Sequence, residues 1–169
     1  MILRRSFFRL LAVAAIWITV SAGMTISVAA DELGQAQELS RALEHQTFDL
    51  INRYRADESL PPLIWNSAVA DMARRHSADM ATGEVAFGHG GFNDRMETLR
   101  GLFAGMSGGG ENVFYTDDRP EVARVAVDSW LHSPPHLHNI RGDFQYSGLG
   151  LWRRSDGAYF FTQIFVRAR

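Results

Sequence analysis

Apolar residues recur at helical spacing through the first third of this chain. From about Gln37 to Asp57 they fall at Leu39, Leu43, Thr47 or Phe48, Leu50, Ile51 and Tyr54, with a polar face opposite, which predicts an amphipathic helix. Leu60-Pro61-Pro62-Leu63 breaks the pattern and forces an extended connector. Asn66 suits the N-cap of a second helix running to about Met80, with Val69, Met72, Ala73, His76 and Met80 along one stripe. On that stripe His76 reads as a partly buried core histidine rather than a ligand.

Regularity is lost between Gly83 and Gly110, which hold nine of the chain's 15 glycines. Within it Phe87-Gly88-His89-Gly90-Gly91-Phe92 reads as a tight loop carrying a histidine, and Asn93 to Leu102 as a short helix. Glu111 to Tyr115 is rich in β-formers. Pro120, placed at a first helical position, opens a third helix with Val122, Val125, Ala126 and Trp130 on its apolar face. Pro134-Pro135 stop that helix and set His136 on a stiffened turn. Tyr146 to Trp152 and Ala158 to Val166 read as strands joined by a hairpin turn at Asp156-Gly157. The last strand does not alternate strictly, as expected of a strand covered on both faces. No internal repeat interrupts this order. Helices come mostly first and the clearest strands last, which predicts an α+β domain with helices layered on a mainly antiparallel sheet.

Residues 1–30 follow another pattern. Arg4, Arg5 and Arg9 precede an apolar run from Leu10 to Val20, and Val28-Ala29-Ala30 offers small residues for cleavage before Asp31-Glu32. That order is a secretory signal peptide, and Arg4-Arg5-Ser6-Phe7-Phe8 resembles the twin-arginine form. The competing reading is a retained anchor, since Leu10 to Ala30 is about long enough to span a bilayer, but Thr19, Ser21, Thr25 and Ser27 count against it. Residues 31–45 are then a lead-in with the start of the first helix, and residues 46–169 form the domain. Cleavage leaves 14 basic against 19 acidic residues, a balance that does not suit nucleic acid. With no cysteine anywhere, thiolate metal sites and cysteine nucleophiles are excluded.

Three of the six histidines (His132, His136 and His138) fall within seven residues of the Trp130–Ile140 stretch. The chemistry centres on His89, Glu111 and His136, each beside a glycine- or proline-rich turn. Two imidazoles and a carboxylate are the donor set that zinc or another borderline divalent metal accepts. Their wide separation matches no local metal motif. On spacing alone, turn-capping by the histidines and local pairing by Glu111 explain the residues as well. Ser133 stands three residues before His136, but the intervening prolines and the want of an orienting acid argue against a serine nucleophile. Asn112 and Asn139 read as loop ties through side-chain to backbone hydrogen bonds. His132 and His138 read as solvent-facing or as standing behind the cleft residues.

Five pieces occur in order: Asn52-Arg53-Tyr54-Arg55, Leu60 to Asn66, Gly110-Glu111-Asn112-Val113, Trp130 to His136 with Asn139-Ile140, and Gly148-Leu149-Gly150 with Thr162-Gln163-Ile164-Phe165. Together they resemble the bacterial secreted form of the CAP superfamily (cysteine-rich secretory proteins, antigen 5, pathogenesis-related 1). The resemblance covers about Thr47 to Val166. It implies a three-layer α-β-α sandwich with an open cleft lined by His89, Glu111 and His136, with Asn112, Asn139 and Ser133 beside them. Animal and plant members carry a second cleft glutamate; its place here falls at Ser133, so the two-histidine, two-glutamate set lacks one acid. Pro135 and Leu137 also depart from the bacterial pattern, which has glycine and a basic residue there.

These readings lead to an exported monomer, periplasmic or extracellular, whose cleft binds an extracellular ligand such as a lipid, peptide or wall fragment, with a divalent metal optional at His89 and His136. The alternative is a metal-assisted hydrolase in which Glu111 is the general base.

Overall fold

A computed structural model describes residues 22–117 and 120–168, with side chains from Gly34 onward. Most of the residues on which the signal-peptide reading rests lie outside the described residues. Two compact units divide at Gly34, and the sheet, its core and the cleft belong to the second, Gln35–Arg169.

The elements are α1 (Ala22–Asp57), β1 (Ile64–Trp65), α2 (Ser67–Thr82), α3 (Phe92–Leu102), β2 (Met106–Thr116), α4 (Val122–Leu131), α5 (Pro134–Arg141), β3 (Tyr146–Arg153) and β4 (Tyr159–Ala168). The strands form one sheet in the order β1-β3-β4-β2. β4 pairs antiparallel with both β2 and β3, while β1 pairs parallel with β3. The sheet is therefore mixed. The parallel pair hides in Ile64-Trp65, just past Pro61-Pro62-Leu63, too short a run to show any period.

Helices cover both faces. Toward α2 and α3 the sheet presents Ile164, Val166 and Ala168, packed on Val69, Met72, Ala73, Met96 and Leu99. Toward α1, α4 and α5 it presents Leu149, Leu151, Phe161 and Phe165, packed on Phe48, Ile51, Trp130 and Ile140. This explains β4, where eight consecutive residues from Tyr159 to Val166 are buried. α2 lies directly on β3: a Cβ on Gly148 or Gly150 would overlap the backbone of Ala70 or Arg74. Beyond the first core, Glu44 is fully buried on α1, accepting from Arg74 Nε at 2.7 Å and from the Leu151 amide at 3.0 Å.

Several expectations need correction. α1 is already helical at Ala22, well before Gln37, and Leu39 is exposed rather than facing the core. Pro120 lies two residues before α4, whose N-cap is Glu121 with φ of 56°. Pro134-Pro135 do not form a stiff turn. They occupy the first turn of α5, where a fixed φ suits the helix and no amide hydrogen bond is lost. Ser133 is the N-cap of α5, but its hydroxyl makes no capping bond. By contrast, Asn66 caps α2 by accepting from the Val69 amide at 3.1 Å. Among the described residues no helix is long and apolar enough to cross a membrane.

Candidate functional site: a histidine–glutamate cleft at the edge of the sheet

β2 is an edge strand, and its outward carbonyls are satisfied by side chains from the neighbouring helices, as an exposed ladder requires. Trp130 Nε1 on α4 donates to the Val113 carbonyl at 3.1 Å, and Asn139 Nδ2 on α5 donates to the Glu111 carbonyl at 3.0 Å. Asn139 Nδ2 also reaches Asn112 Oδ1 at 2.9 Å, while Asn112 Nδ2 donates to the His136 carbonyl at 3.2 Å. Asn112 is completely buried and braces α5 against β2. Gly110 makes this close approach feasible, since a Cβ there would stand 2.8 Å from Asn139 Oδ1.

Strand alternation points Glu111 to the opposite face, toward α2 and α3. Its side chain is only 1% exposed and carries three hydrogen bonds. Arg95 Nε donates to Oε2 and Arg95 Nη2 to Oε1, both at 2.8 Å, and His89 Nδ1 lies 2.9 Å from Oε1. An ionised carboxylate only accepts, so His89 must donate through Nδ1–H, which leaves Nε2 turned away from Glu111. Half of the His89 side chain is exposed, at 51%.

The loop carrying His89 is pinned at three points. The Phe92 amide donates to the His89 carbonyl at 3.0 Å, Arg95 Nη1 donates to the Gly90 carbonyl at 2.7 Å, and His76 Nε2 lies 2.8 Å from the Gly88 carbonyl. A carbonyl accepts, so His76 carries its proton on Nε2. Gly88 and Gly91, at φ of 138° and 73°, take backbone angles that side chains disfavour. His76 is 3% exposed, and burial pushes its imidazole below the ordinary range. Arg95 lowers it further, against the upward pulls of the Gly88 hydrogen bond and of Glu111. His76 is thus a neutral tie that holds the loop, in keeping with its place on the core stripe of α2.

His136 stands apart from this cluster. It sits on the first turn of α5, and its Nδ1 is buried with no hydrogen-bond partner. Burial lowers its pKa, and the nearby His89 lowers it further. Among the described residues the nitrogens within 4.0 Å of the Glu111 carboxylate are those of His76, His89 and Arg95, and His136 is not among them. His132 and His138 are exposed, and Ser133 is half-buried at the entrance to α5. Beside His89 and Glu111 opens a shallow cavity of about 250 Å³, lined also by Phe92, Gly109, Gly110 and Asn139.

A zinc centre of the catalytic kind takes three protein ligands and keeps a position open. Here Glu111 has three of its roughly four acceptor sites taken. Among the described residues no group of three or more histidine, aspartate or glutamate side chains is disposed to hold a metal. The arrangement as it stands does not fit a three-ligand metal. Sequence reasoning missed Arg95, whose only signal was a basic residue in the first turn of a short helix directly after the glycine loop.

Comparison with known proteins bears on this cleft. The family model of the cysteine-rich secretory protein family, CAP, matches residues 48–165. The uncharacterized membrane protein YlbC of Bacillus subtilis is 29% identical over 137 residues, covering 78% of this chain and 36% of its own length. An extracellular protein of Bacillus anthracis containing an SCP domain superposes with a TM-score of 0.64 at 30% identity, over 79% of this chain and 43% of that one. A cysteine-rich secretory protein of Staphylococcus aureus gives 0.60 at 18% identity, over 76% and 39%. An outer surface protein of Borrelia burgdorferi gives 0.59 at 16%, over 72% and 90%. The last two likenesses show the fold alone. This chain spans well under half the length of YlbC and of the Bacillus anthracis protein.

Proposed function

The chain belongs to the cysteine-rich secretory protein (CAP) family, and from that premise we propose that it is an exported binding domain whose cleft holds an extracellular ligand against His89. One observation carries the reading: Glu111 fixes the ring of His89 through Nδ1, so that Nε2 is left for a partner at the rim of an open cavity. Phe92 offers an apolar face beside it, and the glycine backbone of β2 forms the opposite wall. A few placed polar groups around an apolar surface are the usual make-up of a small-ligand site. At about 250 Å³ the cavity is smaller than a site for a drug-sized molecule, which suits one unit of a longer polymer better than a whole lipid. A peptide or wall fragment is the ligand class we favour.

Export is part of the proposal. It is supported by the basic, apolar and small-residue order of residues 1–30, and by the similarity to an extracellular protein of Bacillus anthracis. A general-base role for Glu111 finds no support in the geometry, because both carboxylate oxygens already accept from Arg95 or His89.

The test is calorimetric titration with soluble peptidoglycan fragments, short peptides and phosphatidylglycerol vesicles, using wild type and His89→Ala. The expected result is saturable binding of a fragment or peptide that weakens at least about tenfold, some 1.4 kcal/mol, in His89→Ala. Equal affinity in the two proteins would remove His89 from the site.

A further inference from the structure

Glu111 is nearly sealed from solvent, and this chain supplies its counter-charge. The Arg95 guanidinium grips both carboxylate oxygens, at 2.8 Å from Nε and 2.8 Å from Nη2, while Nη1 holds the Gly90 carbonyl at 2.7 Å. The Arg95 side chain is only 13% exposed, so water screens the pair little. A two-pronged arginine–carboxylate pair is among the stronger ion pairs available to a protein. A divalent cation approaching Glu111 would have to share those oxygens with a fixed positive charge.

His89 stands at the same carboxylate, with Nδ1 2.9 Å from Oε1. An imidazole and a carboxylate are donors that zinc accepts, provided the carboxylate is released.

The geometry points to Arg95 as a resident cation, one that takes the place of a metal ion on Glu111, keeps divalent cations out of the cleft, and on removal leaves Glu111 and His89 free to take zinc. The exclusion stands on the cleft itself and holds whether or not a peptide or wall fragment binds there. Arg95 acts as a positioning residue as well, because the same guanidinium joins Glu111 to the loop that carries His89. A merely structural arginine would stabilise the loop without affecting metal affinity, and that difference is what the experiment reads.

Zinc is titrated calorimetrically at about pH 7.5, where imidazoles are free to ligate, into wild type, His89→Ala, Arg95→Met and the Arg95→Met/His89→Ala double variant. Exposed His45, His132 and His138 are common to all four, so the quantity read is the binding that disappears with His89→Ala. Wild type is expected to show no His89-dependent zinc binding. Arg95→Met is expected to gain a saturable site at least about tenfold tighter than the surface background, lost again in the double variant. If Arg95→Met does not fold by circular dichroism, Arg95→Gln replaces it, uncharged but still able to donate to Glu111. His89-dependent zinc binding by the wild type would overturn the proposal, and that arm needs no arginine variant. A folded, uncharged Arg95 variant that gains no zinc would overturn it equally.

Discussion

Each histidine in this chain is defined by what its ring nitrogens meet. His76 and His136 are both pushed below the ordinary histidine range, chiefly by burial. A depressed folded-state pKa means that the unfolded chain takes up protons first as pH falls through about 6.5, so folding is penalised below that pH and unaffected above it. Thermal melts should therefore show the midpoint falling between about pH 7 and pH 5. The fall should be shallower in His76→Gln, which keeps a donor for the Gly88 carbonyl but cannot ionise. An equal fall in both proteins would assign the pH dependence to other groups. Ser133 makes the opposite case. Its hydroxyl caps nothing, so Ser133→Ala should shift stability by less than about 0.5 kcal/mol in a urea titration. The ligand preferences of His89 and Glu111 followed from their residue types, but Arg95 did not, since no local spacing ties a residue on α3 to a carboxylate 16 positions away.

Among the elements, β2 and α2 carry the arrangement. Asn139 ties α5 to the edge of β2, and Asn139→Ala would leave the Glu111 carbonyl and Asn112 Oδ1 without that donor. A loss of about 1–3 kcal/mol is expected, read from the denaturant midpoint, and a loss near zero would mean that water replaces the amide. Where α2 meets β3, Gly148→Ala sets a methyl group against the Ala70 backbone, so about 1–3 kcal/mol or more should be lost. The long periodic segments were legible in sequence: α2 with its Asn66 cap, the short helix of α3, and strands β3 and β4 all lie within a few residues of expectation. The failures have local causes. Pro134-Pro135 satisfy the rules for ending one helix and for beginning another, and both happen here: α4 stops at Leu131 and α5 starts at Pro134, held by the buried Ile140 and by Asn139. β1 is two residues long, and its parallel pairing is created by β3 more than 80 positions away.

At the scale of the whole molecule, five motifs spread over about 120 residues made the fold legible, because in that order they resemble the CAP family. The cleft was legible only in part. His89 and Glu111 were named and lie together, yet the guanidinium that closes Glu111 depends on tertiary approach. Export makes its own prediction: mass spectrometry of the protein recovered outside the cytoplasm should find an N-terminus at or near Asp31. Recovery of the intact chain from a membrane fraction would contradict it. The most direct test of the cleft is to follow the ring nitrogens of all six histidines by long-range proton–nitrogen NMR while a soluble peptidoglycan fragment is added. The expected result is a His89 ring protonated at Nδ1 before addition, whose Nε2 signal then moves in step with saturation while those of His132 and His138 stay still. A His89 ring protonated at Nε2 alone, or one unmoved while the fragment binds elsewhere, would contradict the assignment of this cleft as the binding site.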